Sequence, residues 1–162
     1  MMLALLAAAA ASVATAAPPP EPVMRYAGDW TVVSKGAPEP VHLHNSCVAG
    51  TAFITCEQLV DGRSVALLVF QPVASAQGAA GKDYISLAIP AGATRALHSR
   101  LHTDGDAWVF NSDPVTKDGA ATWNRVLNTF AGPDRIHYDI QTSTDGKSWT
   151  TTASGDETRV KP

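Results

Sequence analysis

Only two cysteines occur in this 162-residue chain, at positions 47 and 56. Their spacing lacks the Cys-x-x-Cys proximity of thiol-exchange sites, which argues against redox chemistry. Charge is equally sparse. Twelve Lys and Arg against 15 Asp and Glu leave a net of −3 with no acidic or basic run, so nucleic acid is not an expected partner. No stretch after the first seventeen residues carries the apolar periodicity of an ordinary amphipathic helix. No Ser-His-Asp order, G-x-S-x-G elbow, phosphate loop or paired-carboxylate spacing stands out. The expectation is therefore not an enzyme, with no catalytic residue, metal or cofactor to name.

What the chain does have begins with one apolar run, Met1 to Ala17, ending in a small-x-small site at Ala14-Thr15-Ala16. That run reads as a secretory signal, although its start carries no Lys or Arg. It is too short to span a bilayer. No Cys follows the site to accept a lipid, so the expected product is periplasmic or secreted. The expected organisation is a signal peptide over 1–17, a mobile Pro-rich leader over 18–25, and one domain over 26–162.

Strand signals recur at short, even spacing over that domain. Asp-Gly pairs at 61-62, 104-105 and 145-146 lie between alternating apolar runs and mark hairpin turns. About ten strands are predicted, near 28–34, 41–48, 52–60, 63–72, 83–89, 96–103, 106–112, 120–130, 135–144 and 147–160. The economical closure of such a meander is an antiparallel up-and-down barrel, because closure removes exposed edges. A two-sheet sandwich is the alternative.

Tight turns also fix which side chains share a face, since positions equidistant from a two-residue loop oppose one another. Counting outward from each turn places Leu43, Asn45, Gln58, Leu97, Leu101, Trp108, Phe110, Arg125, Tyr138 and Ile140 inside. The histidine pairs His42/His44 and His98/His102 fall on the opposite, solvent-facing side, so no metal site is expected. Phe53, Leu68 and Phe70 are placed outside with Ala66, as an apolar stripe suited to a protein partner or a second copy. Cys47 and Cys56 fall across from each other about a short turn and are expected to form a structural disulfide.

Gly28-Asp29-Trp30 opens the first strand, and Arg159 lies near the end of the last. This pairing resembles the calycins, the lipocalins and their barrel relatives. There a G-x-W tryptophan packs over the closed end of the barrel with a basic residue of the last strand across it, and the resemblance implies those places for Trp30 and Arg159. About six residues separate the first two strands, too few for a lipocalin lid or a helical portal, and the helix after a lipocalin barrel is missing. The cysteine pair, Asn128-Thr129-Phe130 and the hairpin Ser143 to Trp149 are also similar to exported bacterial proteins of unassigned role. That hairpin lacks the residue that sialidase Asp-boxes place between Asp and Gly, and it occurs once, so it reads as a turn.

Two functions follow as expectations. The first is an exported ligand-binding barrel accepting a small amphiphile or an anionic apolar molecule, with Arg125 and Tyr138 as polar anchors, Trp108 and Phe110 as walls, and Asn45 and Gln58 as further polar groups. An inward Arg125 needs a partner such as a ligand carboxylate or phosphate, unless it snorkels to water at the mouth. The second is a cell-envelope interaction module with a filled core, working through the Phe53, Leu68 and Phe70 stripe.

Overall fold

The computed structural model describes residues 22–73 and 83–161. The expected signal peptide, the first part of the leader and the stretch from Ala74 to Gly81 lie outside the described residues. A single 3-10 turn, Pro22–Tyr26, precedes eleven strands: β1 (Gly28–Ser34), β2 (Val41–Ala49), β3 (Ile54–Val60), β4 (Arg63–Pro72), β5 (Asp83–Pro90), β6 (Leu97–Asp104), β7 (Ala107–Ser112), β8 (Val115–Lys117), β9 (Ala120–Phe130), β10 (Arg135–Ser143) and β11 (Thr150–Arg159). Each barrel strand runs antiparallel to its neighbours, β11 pairs with β1, and β9 pairs with β10. Ten strands therefore close into an up-and-down barrel, while β8 pairs with the start of β9.

Turn chemistry explains much of this meander. Asp61 and Gly62 both take positive φ, 47° and 76°, as a two-residue hairpin turn matched to strand twist requires. Asp118 and Gly119 do the same at 51° and 80° and join β8 to β9. This fourth Asp-Gly pair is as plain in the sequence as the others, yet the predicted set of strands omits β8.

Pro22 to Arg25 fall within the expected leader but are packed. Val23 and Tyr26 of the 3-10 turn are buried in the core. With Trp30, Trp108, Phe130 and Ile136 they plug one end of the barrel. The Trp108 and Phe130 rings lie 4.5 Å apart, and Tyr26 meets Trp108 edge-on at 5.0 Å.

Two faces differ from expectation, each for a single-residue reason. Between β3 and β4 the register shifts at Gln58/Leu59, so Cys56 opposes Leu68 and Ile54 opposes Phe70. That bulge inverts β4: Phe70 is fully buried and Leu68 packs against the core, leaving Phe53, 51% exposed, outside without them. The expected outward stripe of Phe53, Leu68 and Phe70 does not exist. Between β9 and β10, Phe130 opposes Ile136 across five intervening residues rather than four. Arg125 therefore opposes Gln141 instead of Ile140 and stands on the outer wall, while Val126 and Asn128 turn inward. Elsewhere the turn around Gly105 is displaced by one residue along each strand, which pairs Leu101 with Phe110 but leaves every face unchanged.

Candidate functional site

The plug and the strands together define a cavity of about 670 Å³ inside the barrel. Its wall is mostly apolar, with Val32, Leu43, Val60, Leu68, Ala88, Phe110, Val126 and Ile140 contributing. The mouth lies at the end away from the 3-10 turn, where β1 leads into β2, β3 into β4 and β5 into β6. Val41, Val65, Leu97 and His98 stand there, and Leu97 is 62% exposed.

Arg159 ties the plugged end together. It pairs with Trp30 across β1 and β11, and its guanidinium stacks 4.1 Å from the indole centroid. It also donates to three carbonyls, those of Ala27 at 2.6 Å, Arg25 at 2.8 Å and Pro133 at 3.2 Å. The Trp30 indole N–H donates to the carbonyl of Tyr26 at 2.9 Å. Gly28 takes a φ of 108°, and a Cβ there would stand 2.9 Å from the Arg159 guanidinium. The G-x-W spacing thus provides both the backbone turn and the room for Arg159.

Polar groups gather at the inner end of the cavity. Tyr26 and Asn128 both reach it, and the Asn128 amide N–H donates to the Tyr26 hydroxyl. Glu157 sits beside them on β11, opposite Val32 and Ile136. Burial pushes its carboxyl up to about 7, and the Tyr26 phenol is held well above its usual value by burial and by Glu157. Glu157 Oε2 and Asn128 Oδ1 are buried with no hydrogen-bond partner among the described residues. The buried indole N–H of Trp108, across the strand pair from Asn128, likewise has none.

The residues singled out in the sequence distribute as follows. Tyr138, Phe110 and Gln58 line the cavity. Tyr138 shares a 2.6 Å hydrogen bond with Ser34, and its ring occupies the space over Gly155, where a Cβ would fall 2.6 Å from the phenol oxygen. Asn45 lies deeper and is buried. It donates to the Tyr26 carbonyl at 3.2 Å and accepts from Gln58 at 3.1 Å. Trp108 is part of the plug rather than the cavity wall. Arg125 is away from the cavity: its Nε donates to Gln141 at 2.7 Å and its guanidinium lies 4.0 Å over the Trp149 ring. Cys47 and Cys56 are directly paired and disulfide-bonded.

Tyr26, Asn128 and Glu157 were not among the predicted site residues. Glu157 was nevertheless legible, because the alternation that carries Arg159 inward carries Glu157 with it. Outside, Asp29 lies between His42 at 3.2 Å and His44 at 2.7 Å, and the hydrogen bond from His44 holds its carboxyl below the usual range. His102 similarly meets Asp83 at 2.7 Å.

Fold and cavity together define a ten-stranded antiparallel barrel with one plugged end and an apolar-walled interior. No protein-family model and no curated protein sequence matches the chain. Among solved structures, one described as "Crystal Structure of Rv2717c from M. tuberculosis" is 12% identical, with 86% of this chain and 95% of that chain covered and a TM-score of 0.47. A likeness of that degree carries no functional information.

Proposed function

We propose that this protein is a small-ligand-binding barrel whose cavity accepts a small amphiphile, and that it acts in the periplasm or outside the cell. The observation that carries the reading is the cavity of about 670 Å³, apolar along its wall and polar at its inner end. Ligand sites in proteins have volumes of roughly 300–1,000 Å³ and this distribution of polarity. A calycin-type kinship is part of the proposal, supported by Trp30 and Arg159 stacking at the closed end. The disulfide is compatible with an oxidising compartment.

An anionic ligand was expected on the strength of Arg125, and that support is gone. The alternative, an interaction module acting through Phe53, Leu68 and Phe70, loses its surface because Phe70 and Leu68 belong to the interior.

Nile red, a neutral dye that brightens in apolar surroundings, tests the reading. Saturable binding to the native protein, abolished when Ala88→Trp fills the cavity, is the expected result. Absence of saturable binding, or binding untouched by Ala88→Trp in a folded variant, overturns it. Native mass spectrometry of freshly purified protein would also reveal a co-purifying small molecule.

A further inference from the structure

Resting on that reading, we infer that the preferred ligand is a cationic amphiphile, an apolar body carrying a primary or secondary amine, with the ammonium lodged against Glu157 and Asn128 at the inner end of the cavity. Tyr26, Asn128 and Glu157 line the cavity there, and the two polar atoms of theirs left without a partner are buried acceptors. Glu157 Oε2 and Asn128 Oδ1 have no partner among the described residues, while the amide N–H of Asn128 is committed to Tyr26. A buried carboxylate left unpaired is costly, and a protonated amine supplies two or three N–H donors and the compensating charge together. An alcohol supplies one donor and no charge. A carboxylate ligand would place like charges in contact, and the guanidinium that could have welcomed it, Arg125, is on the outer wall.

The surroundings of Glu157 reinforce this choice. Its strand neighbours on β1 and β10 are Val32 and Ile136, which carry no charge. The titratable groups lining the cavity with it are Tyr26, Tyr138 and, at the mouth, His98. Arg159, two residues along β11, is engaged with Trp30 and the carbonyls of the plug. Ionisation of Glu157 is therefore opposed by burial until a cation arrives, and the cation's binding strengthens as the carboxyl ionises.

Displacement of Nile red by 4-phenylbutylamine, 4-phenylbutan-1-ol and 4-phenylbutanoate tests the inference, because the three share one apolar body. At about pH 8.5 the amine is expected to compete at least roughly tenfold better than the alcohol or the acid, the scale of a charge-assisted hydrogen bond. Its advantage should shrink toward about pH 5.5, where Glu157 is protonated, and should do so equally in His98→Gln, which removes the histidine at the mouth. Glu157→Gln should bring the amine to within about twofold of the alcohol, a ratio taken within one variant so that any change in dye affinity cancels. Asp156→Asn, on the outer face of the same strand, should leave the ratio as it is.

Dye binding with equal competition by all three compounds, or with the acid strongest, overturns the amine inference and leaves the cavity reading standing. Failure of the dye to bind overturns both. If Glu157→Gln does not fold, the pH series on the native chain decides, since an amine advantage that does not rise with pH is incompatible with a role for this carboxyl.

Discussion

The two ends of this barrel are built from the same strands and do opposite things. At the plugged end Trp30, Trp108, Phe130 and the 3-10 turn are interlocked, with Arg159 bonded to three carbonyls over the indole. At the mouth Val41, Val65, Leu97 and Ile140 are partly exposed. A barrel of ten strands is wide enough that one layer of side chains cannot fill it. Spending the large aromatics at one end leaves the other end open. Tight packing and the cavity are thus separated along the barrel axis, and substitutions should sort accordingly.

The largest contrast is expected between Trp30→Ala and Val41→Ala. The first removes a fully buried indole and the stacking partner of Arg159, for a loss of about 3–5 kcal/mol in urea unfolding. The second, at the rim, should cost less than about 1 kcal/mol. Equal losses would mean that the mouth is as tightly packed as the plug.

Glu157 lies between the two regions and gives them a pH dependence. Its carboxyl is raised from 4.5 to about 7 in the folded state, so the folded chain holds the proton that the unfolded chain releases. This contribution to stability is complete below about pH 4.5 and lost as pH rises to about 7, on the order of 2–3 kcal/mol. Comparing urea midpoints of the native chain and Glu157→Gln across that window isolates it. The difference should slope downward with pH for the native chain, opposite in sign to the effect of a carboxylate such as Asp29, whose value is lowered.

Replacing both Cys47 and Cys56 by Ser should reduce stability by about 2–3 kcal/mol, the chain-entropy value for so short a loop. Dye binding should survive if the variant is folded, because the disulfide is not part of the cavity wall. The smallest effect belongs to Arg125→Ala. A half-buried stack on Trp149 and one hydrogen bond to Gln141 should account for less than about 1 kcal/mol, with dye binding unchanged. A binding loss in this variant would contradict its placement on the outer wall.

The pattern of correct and incorrect faces has one physical cause. Alternation reads a strand's inner face correctly whenever an error of register is an even number of residues. The turn at Gly105 is such a case, and Leu101, Phe110 and Trp108 were placed correctly despite it. An odd slip inverts everything downstream. The bulge at Gln58/Leu59 did this to Leu68 and Phe70, and the five residues between Phe130 and Ile136 did it to Arg125. The barrel and the disulfide were legible because turn residues and local symmetry specify them, and the Trp30–Arg159 pair because its residues resemble the closed end of the calycins. The inner-end site was only half legible: Glu157 followed from simple alternation, whereas Asn128 lay beyond a turn whose length the sequence does not announce, and Tyr26 lay at the edge of a segment that reads as leader.

The position of Arg159 also sets a timetable. Two of the three carbonyls it gathers belong to Arg25 and Ala27, at the opposite end of the domain in sequence, and β1 can pair with β11 only after almost all of the barrel strands have been made. While the chain is being synthesised, Trp30 has no guanidinium above it and the cavity has no finished floor. Closure is consequently a late, long-range event, and the chain remains without a sealed barrel, and without a completed cavity, until the strand bearing Glu157 and Arg159 arrives.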